Sequence, residues 1–131
     1  MKRALAASAG AALLTLGGVA WSAERSEEPQ RCLQLSRIDS VEVLSNRQII
    51  FETTGNEYFV NTLPYPCPGL RRNATIMYRT SIDQLCNVDV VTVLQSVGGG
   101  AMPGASCGLG MFEPIDEGER DALREQARSG N

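Results

Sequence analysis

The residues able to do chemistry in this 131-residue chain are four cysteines and a set of carboxylates. Histidine is absent, and Lys2 is the only lysine. Ser-His-Asp, Cys-His and Ser-Lys nucleophilic arrangements therefore cannot be built beyond the first few residues. Schiff-base chemistry has no amine there, and no Gly-x-x-x-x-Gly-Lys phosphate loop exists. The usual zinc sites lose their histidines. The residue types thus predict no metal and no cofactor, and what remains is carboxylate acid–base chemistry. Asp83 and Asp89 flank Cys86, and Glu52 and Glu57 flank a turn. Two acids hydrolyse a glycosidic bond when they stand on either side of it. Acids at strand ends are ordinarily solvated, however, and that is the expected state of these four. The cluster Asp116-Glu117-x-Glu119-x-Asp121 lacks the spacing of an EF-hand calcium loop and reads as acids opening a helix.

The cysteines are Cys32, Cys67, Cys86 and Cys107. None forms a Cys-x-x-Cys pair, so the usual redox and c-type haem motifs are missing. An even number in a small exported domain reads as two disulfides. Four cysteines allow three pairings. The expected one is Cys67–Cys86, tying a proline loop to a central strand, with Cys32–Cys107 tying the start of the domain to its last strand.

Export is read from residues 1–23. Lys2 and Arg3 form a positive start, Ala4 to Ala20 an apolar stretch of small residues, and Gly18-Val19-Ala20 or Ala20-Trp21-Ser22 a cleavage site. The stretch is too short and too rich in Ala and Gly for a membrane span, so no stable membrane insertion is expected after cleavage. Removal takes the net charge from −3 to −5, because two cations and no acid leave. An acidic domain is a poor candidate for nucleic acid. About 108 residues remain, one domain by size with a thin core.

Several elements must position these residues. Residues 24–31 are polar and read as a linker. A first extended segment runs from Cys32 to Leu44. Gln48 to Thr53 and Glu57 to Leu63, joined by Thr54-Gly55-Asn56, predict a hairpin. Pro64, Pro66 and Pro68 exclude helix and central strand around Cys67. Arg71-Arg72-Asn73 is a small basic exposed stretch. Ile76 to Thr80 predicts a short strand, and Ser81 to Leu85 one helical turn capped by Ser81. Val88 to Leu94, the longest β-branched run, is the expected central strand. Gly98 to Gly104 predicts a mobile loop, with Gly98, Gly99, Gly100 and Met102 as candidate binding residues. A closing strand is expected within Cys107 to Ile115, then an exposed, frayed helix over about residues 117–128. The whole predicts a mainly β domain over residues 32–115, a small antiparallel barrel or roll of about six strands, with residues 116–131 as helix and tail.

Certain of these residues fall into a recognisable pattern. Pro66-Cys67-Pro68-Gly69-Leu70, Leu85-Cys86-x-x-Asp89 and Cys107-x-Leu109-Gly110-x-Phe112-x-Pro114 follow Ile38-x-x-x-x-Val43-Leu44 and Arg47-x-Ile49-x-Phe51. Together they resemble a family of small exported proteobacterial proteins of unknown function. The resemblance spans about Cys32 to Pro114 and rests on scaffold residues. It implies a periplasmic or secreted β-rich domain of a Gram-negative bacterium and carries no catalytic residue.

The expected function is accordingly non-enzymatic. It is a disulfide-stabilised cell-envelope domain that binds a protein or glycan partner, with inhibition of an envelope-attacking hydrolase as one form. The alternatives are a small carboxylate-dependent hydrolase built on Asp83 or Asp89, and a thiol-redox protein needing an accessible low-pKa cysteine.

Overall fold

A computed structural model of the chain describes residue 10 and residues 27–130. Apart from Gly10, the expected signal segment lies outside the described residues. The elements are β1 (Cys32–Gln34), a 3-10 turn (Leu35–Arg37), β2 (Ile38–Val43), β3 (Gln48–Thr53), β4 (Glu57–Thr62), β5 (Thr75–Met77), β6 (Gln84–Cys86), β7 (Val90–Val97), β8 (Gly100–Gly108), β9 (Phe112–Ile115) and α1 (Glu117–Ser129). The domain is mainly β, antiparallel throughout, with one C-terminal helix.

Nine strands occur among the described residues against the expected six: the first extended segment breaks at the 3-10 turn, Gln84–Cys86 is a strand in place of the expected helical turn, and the glycine segment becomes β8, which breaks from β9 at Leu109–Met111. They form three separate sheets, in the orders β1-β6, β2-β3-β4-β9 and β5-β7-β8. The sheets do not close into a barrel. The four-stranded sheet instead stands in the middle. Its inner face carries Val43, Ile49, Phe51, Phe59 and Phe112, which pack with Leu33, Leu85, Val91 and Val93 from the two smaller sheets. Phe51 and Phe112 meet edge to face, centroids 5.3 Å apart. Its outer face carries Leu44, Ile50 and Val60, and α1 covers them with Leu123 and Ala127.

The helix is therefore docked rather than free. Asp116 caps it by accepting the Glu119 N–H at 2.7 Å. Arg124 pairs with Glu42 of β2 at 2.7 Å. The Arg120 guanidinium lies 4.4 Å from the centre of the Tyr58 ring, a cation–π contact. Burial of Leu123 and Ala127 against the sheet supplies what a short isolated helix lacks.

The expected hairpin is present as β3 and β4, in register from Gln48↔Thr62 to Thr53↔Glu57. Gly55 and Asn56 take φ of 87° and 60°, the left-handed conformation a tight turn demands and that Gly and Asn tolerate. The fold begins before Cys32: Gln30 exchanges both backbone hydrogen bonds with Phe112, at 2.8 and 2.9 Å, so the polar linker ends inside the sheet. The Ser81-capped turn is not helical. Residues 81–83 bend and Gln84 to Cys86 pairs with β1, because the strand partner outcompetes a single unsupported helical turn.

Candidate functional site

The two disulfides are Cys32–Cys86 and Cys67–Cys107, and the described residues hold no free cysteine. The expected pairing, Cys67–Cys86 with Cys32–Cys107, is overturned. The reason is register. In the β1–β6 ladder Cys32 stands directly opposite Cys86. Neighbouring hydrogen bonds flank the pair, from Asn87 N–H to the Arg31 carbonyl and from Leu35 N–H to the Asp83 carbonyl. Cys32 and Cys86 therefore occupy a non-hydrogen-bonded position, where strands approach most closely, and their Cα atoms are 4.0 Å apart. Cys107 lies beside Val91 on β8. Cys67 is buried under this sheet, held by its N–H to the Asn46 carbonyl at 2.8 Å.

Three of the four carboxylates accept hydrogen bonds that hold the fold. Asp83 accepts the Ser36 N–H at 3.0 Å and the Ser36 hydroxyl at 2.8 Å. Asp89 accepts the Cys86 N–H at 2.7 Å while its own N–H donates to the Cys86 carbonyl, closing the turn before β7. Glu52 accepts from the Ser40 hydroxyl at 3.0 Å. Glu57 lies across the hairpin from Thr53 and lines a small cleft with Gln30, Cys32, Gln34, Arg37 and Phe59. No group of three or more potential metal ligands occurs among the described residues.

The glycine segment is a hairpin rather than a loop. Val97 pairs with Gly100, so Gly98 and Gly99 alone make the turn, at φ of 58° and 83°. Two consecutive positive φ values suit the twist of a two-residue hairpin. Gly100 and Met102 belong to β8. A bulge follows, because Gly104 and Ala105 together oppose Val93. The hairpin tip exposes Val97 and Met102 by 52% and 54%, and Val90 at its base by half. From Val90 to Phe112 there is no charged residue. The candidate binding residues Gly98, Gly99, Gly100 and Met102 thus gather on one projecting, uncharged tip.

A second concave feature lies elsewhere. A cleft of about 440 Å³ opens between the last turn of α1, the β2–β3 turn and the Arg71–Arg72 turn. Leu44, Leu70, Leu123 and Ala127 supply its apolar part, and Arg71, Arg72, Asn46, Gln48 and Gln126 its polar part. The sequence shows Arg71 and Arg72 as a basic stretch, but the cleft joins residues from 44–48, 70–72 and 123–130 and has no local signature.

These features define a disulfide-bonded, mainly β domain with a helix on its central sheet and an uncharged hairpin at its edge. The family model described as a family of unknown function, DUF6491, matches residues 1–131, and the chain belongs to that family. Comparison with curated proteins and with solved structures finds no match in either. Two disulfides are the mark of a chain that folds in an oxidising, extracytoplasmic setting. No helix among the described residues is long and apolar enough to cross a membrane.

Proposed function

We propose that the protein is a non-catalytic binding domain, periplasmic or secreted from a Gram-negative bacterium by cleavage within or just after residues 1–23. In this reading it presents the β7–β8 hairpin to a protein or glycan of the cell envelope. The observation that carries it is the uncharged run from Val90 to Phe112, folded as a projecting hairpin whose tip exposes Val97 and Met102 on an otherwise acidic chain. Interface cores are depleted of charge and enriched in Met, and exposed apolar side chains such as Val97 and Met102 are costly to leave in water. Both strands and the two-glycine turn are preformed, so binding loses little conformational entropy. Inhibition of an envelope-attacking hydrolase is one form of binding that such a rigid tip suits.

The test is a photo-crosslinking residue placed at Met102 or Val97 in cells making the full chain. A discrete crosslinked species is expected, lost in a Val97→Glu/Met102→Glu variant that keeps its melting temperature. Equal crosslinking from Glu125, on the outer side of α1, would mean that the hairpin has no special partner.

A further inference from the structure

We propose that the cleft between α1 and the Arg71–Arg72 turn binds the carboxy-terminal end of a peptide whose last residue is apolar. It is independent of the hairpin, since no residue of β7 or β8 lines it. Charge is the first reason. The chain is acidic overall, yet the described residues that line this cleft include two arginines and no carboxylate. Arg120, Arg124 and Arg128 on α1 all stand within 4.0 Å of carboxylates. Arg71 and Arg72 form no ion pair with any described residue, so the potential between them is left for an incoming anion. A guanidinium fork matches the two oxygens of a carboxylate, and both arginines line this cleft.

The turn that carries them is anchored. Asn73, at φ 63°, donates its N–H to the Val43 carbonyl at 3.0 Å, and Ala74 N–H reaches the Arg71 carbonyl at 2.9 Å. Beside the arginines the walls become apolar. Leu44 and Leu70 are buried and Leu123 and Ala127 half-buried, so a side chain laid there extends the cluster formed by the helix and sheet.

The third reason separates a peptide from an acyl chain. The carboxamides of Asn46, Gln48 and Gln126 line the same cleft and have no side-chain hydrogen bond with any described residue. Asn46 and Gln126 are exposed and Gln48 is half-buried, and peptide N–H and C=O groups pair with such carboxamides, whereas an acyl chain offers them no partner. Polarity sets the direction. The carbonyl end of α1 is the negative end of its dipole and stands at one wall, so the carboxylate goes to the arginine wall. The volume is that of a site for a short ligand segment.

The test uses the full chain with its disulfides intact and ¹H–¹⁵N and methyl NMR titration. The probes are acetylated tetrapeptides ending in Val, Leu, Ile, Met or Phe with a free carboxylate, the same peptides amidated, and octanoate. At least one free-acid peptide should give saturable shifts at Leu123, Ala127 and the Arg71 and Arg72 side chains. Its amide and an Arg71→Gln/Arg72→Gln variant should each bind about tenfold more weakly, the loss of charge-assisted hydrogen bonds. Met102→Glu should leave the affinity unchanged, which separates this site from the hairpin. The proposal is overturned if no free-acid peptide saturates, if amides bind as well as acids, if octanoate binds more tightly than every peptide, or if shifts centre on β7–β8.

Discussion

The carboxamide of Asn61 is paired with both backbone polar groups of Gly110. Its Nδ2 donates to the Gly110 carbonyl at 2.8 Å and its Oδ1 accepts the Gly110 N–H at 2.7 Å. Asn61 has no exposed surface, so a side chain here completes a ladder that the backbone of β4 cannot reach. The contact fixes the link between β8 and β9. It also requires glycine, because a Cβ at position 110 would clash with the Thr62 carbonyl oxygen. Gly110→Ala should therefore cost about 3 kcal/mol or more, beyond ordinary overpacking, since the obstacle is backbone. Asn61→Leu should cost about 1–3 kcal/mol by orphaning the Gly110 N–H. Urea unfolding of both variants checks this, and a Gly110→Ala protein of unchanged stability would contradict the geometry.

The disulfides span 54 and 40 residues. Loop entropy then assigns about 4 kcal/mol to each in the unfolded chain, if both are unstrained. Replacing Cys32 and Cys86 together by Ala, or Cys67 and Cys107 together, should lower stability by a comparable amount. Proteolysis without reduction should release peptides linked 32–86 and 67–107, and any fragment linking 67 to 86 would refute the register given for β1 and β6.

Asp83 and Asp89 behave in this structure as turn anchors. Asp89→Ala should cost about 1–2 kcal/mol, because the Cys86 N–H loses its partner in a half-buried turn. Asp83→Ala, at an exposed site, should cost less than about 1 kcal/mol. Asp89→Asn keeps an acceptor and should fall between wild type and Asp89→Ala. Thermal melts rank the three. A catalytic pair would show the opposite pattern, with stability kept and an activity lost.

Burial raises the pKa of Tyr78 above its ordinary value of 10.0. The folded state therefore holds the phenol proton longer than the unfolded chain does. Its contribution to stability is full below pH 10 and is lost as pH rises through the higher folded value. Stability should decline above about pH 10 more steeply in wild type than in Tyr78→Phe. Chemical denaturation at pH 9 and 11 measures the difference, and parallel curves would mean that the phenol is solvated.

The local signals in the sequence were strong where chemistry is local. Alternating β-branched and aromatic residues around Thr54-Gly55-Asn56 specify the β3–β4 hairpin, because side-chain period and turn conformation are properties of adjacent residues. Asp116 and the acids after it specify the start of α1. The absence of histidine and the single lysine exclude whole classes of chemistry without any fold. Even Gly98 and Gly99 carry a hairpin signal, which the following Gly100 and Gly104 disguise as a long loop.

Pairings between distant segments depended on the tertiary structure. Four cysteines permit three pairings, and only the β1–β6 register, built from residues 54 apart, puts Cys32 opposite Cys86. Whether strands close into a barrel depends on which edges meet, and here α1 covers one face of the central sheet while two small sheets cover the other. The same applies to Asn61 and Gly110, and to the cleft that brings Arg71 and Arg72 beside Leu123. Sequence alone determined composition, the β3–β4 hairpin and the start of α1, because these are set within a few residues. Packing decided the rest, because contact energies between remote segments, such as Phe51 against Phe112, exist only when the whole chain is folded.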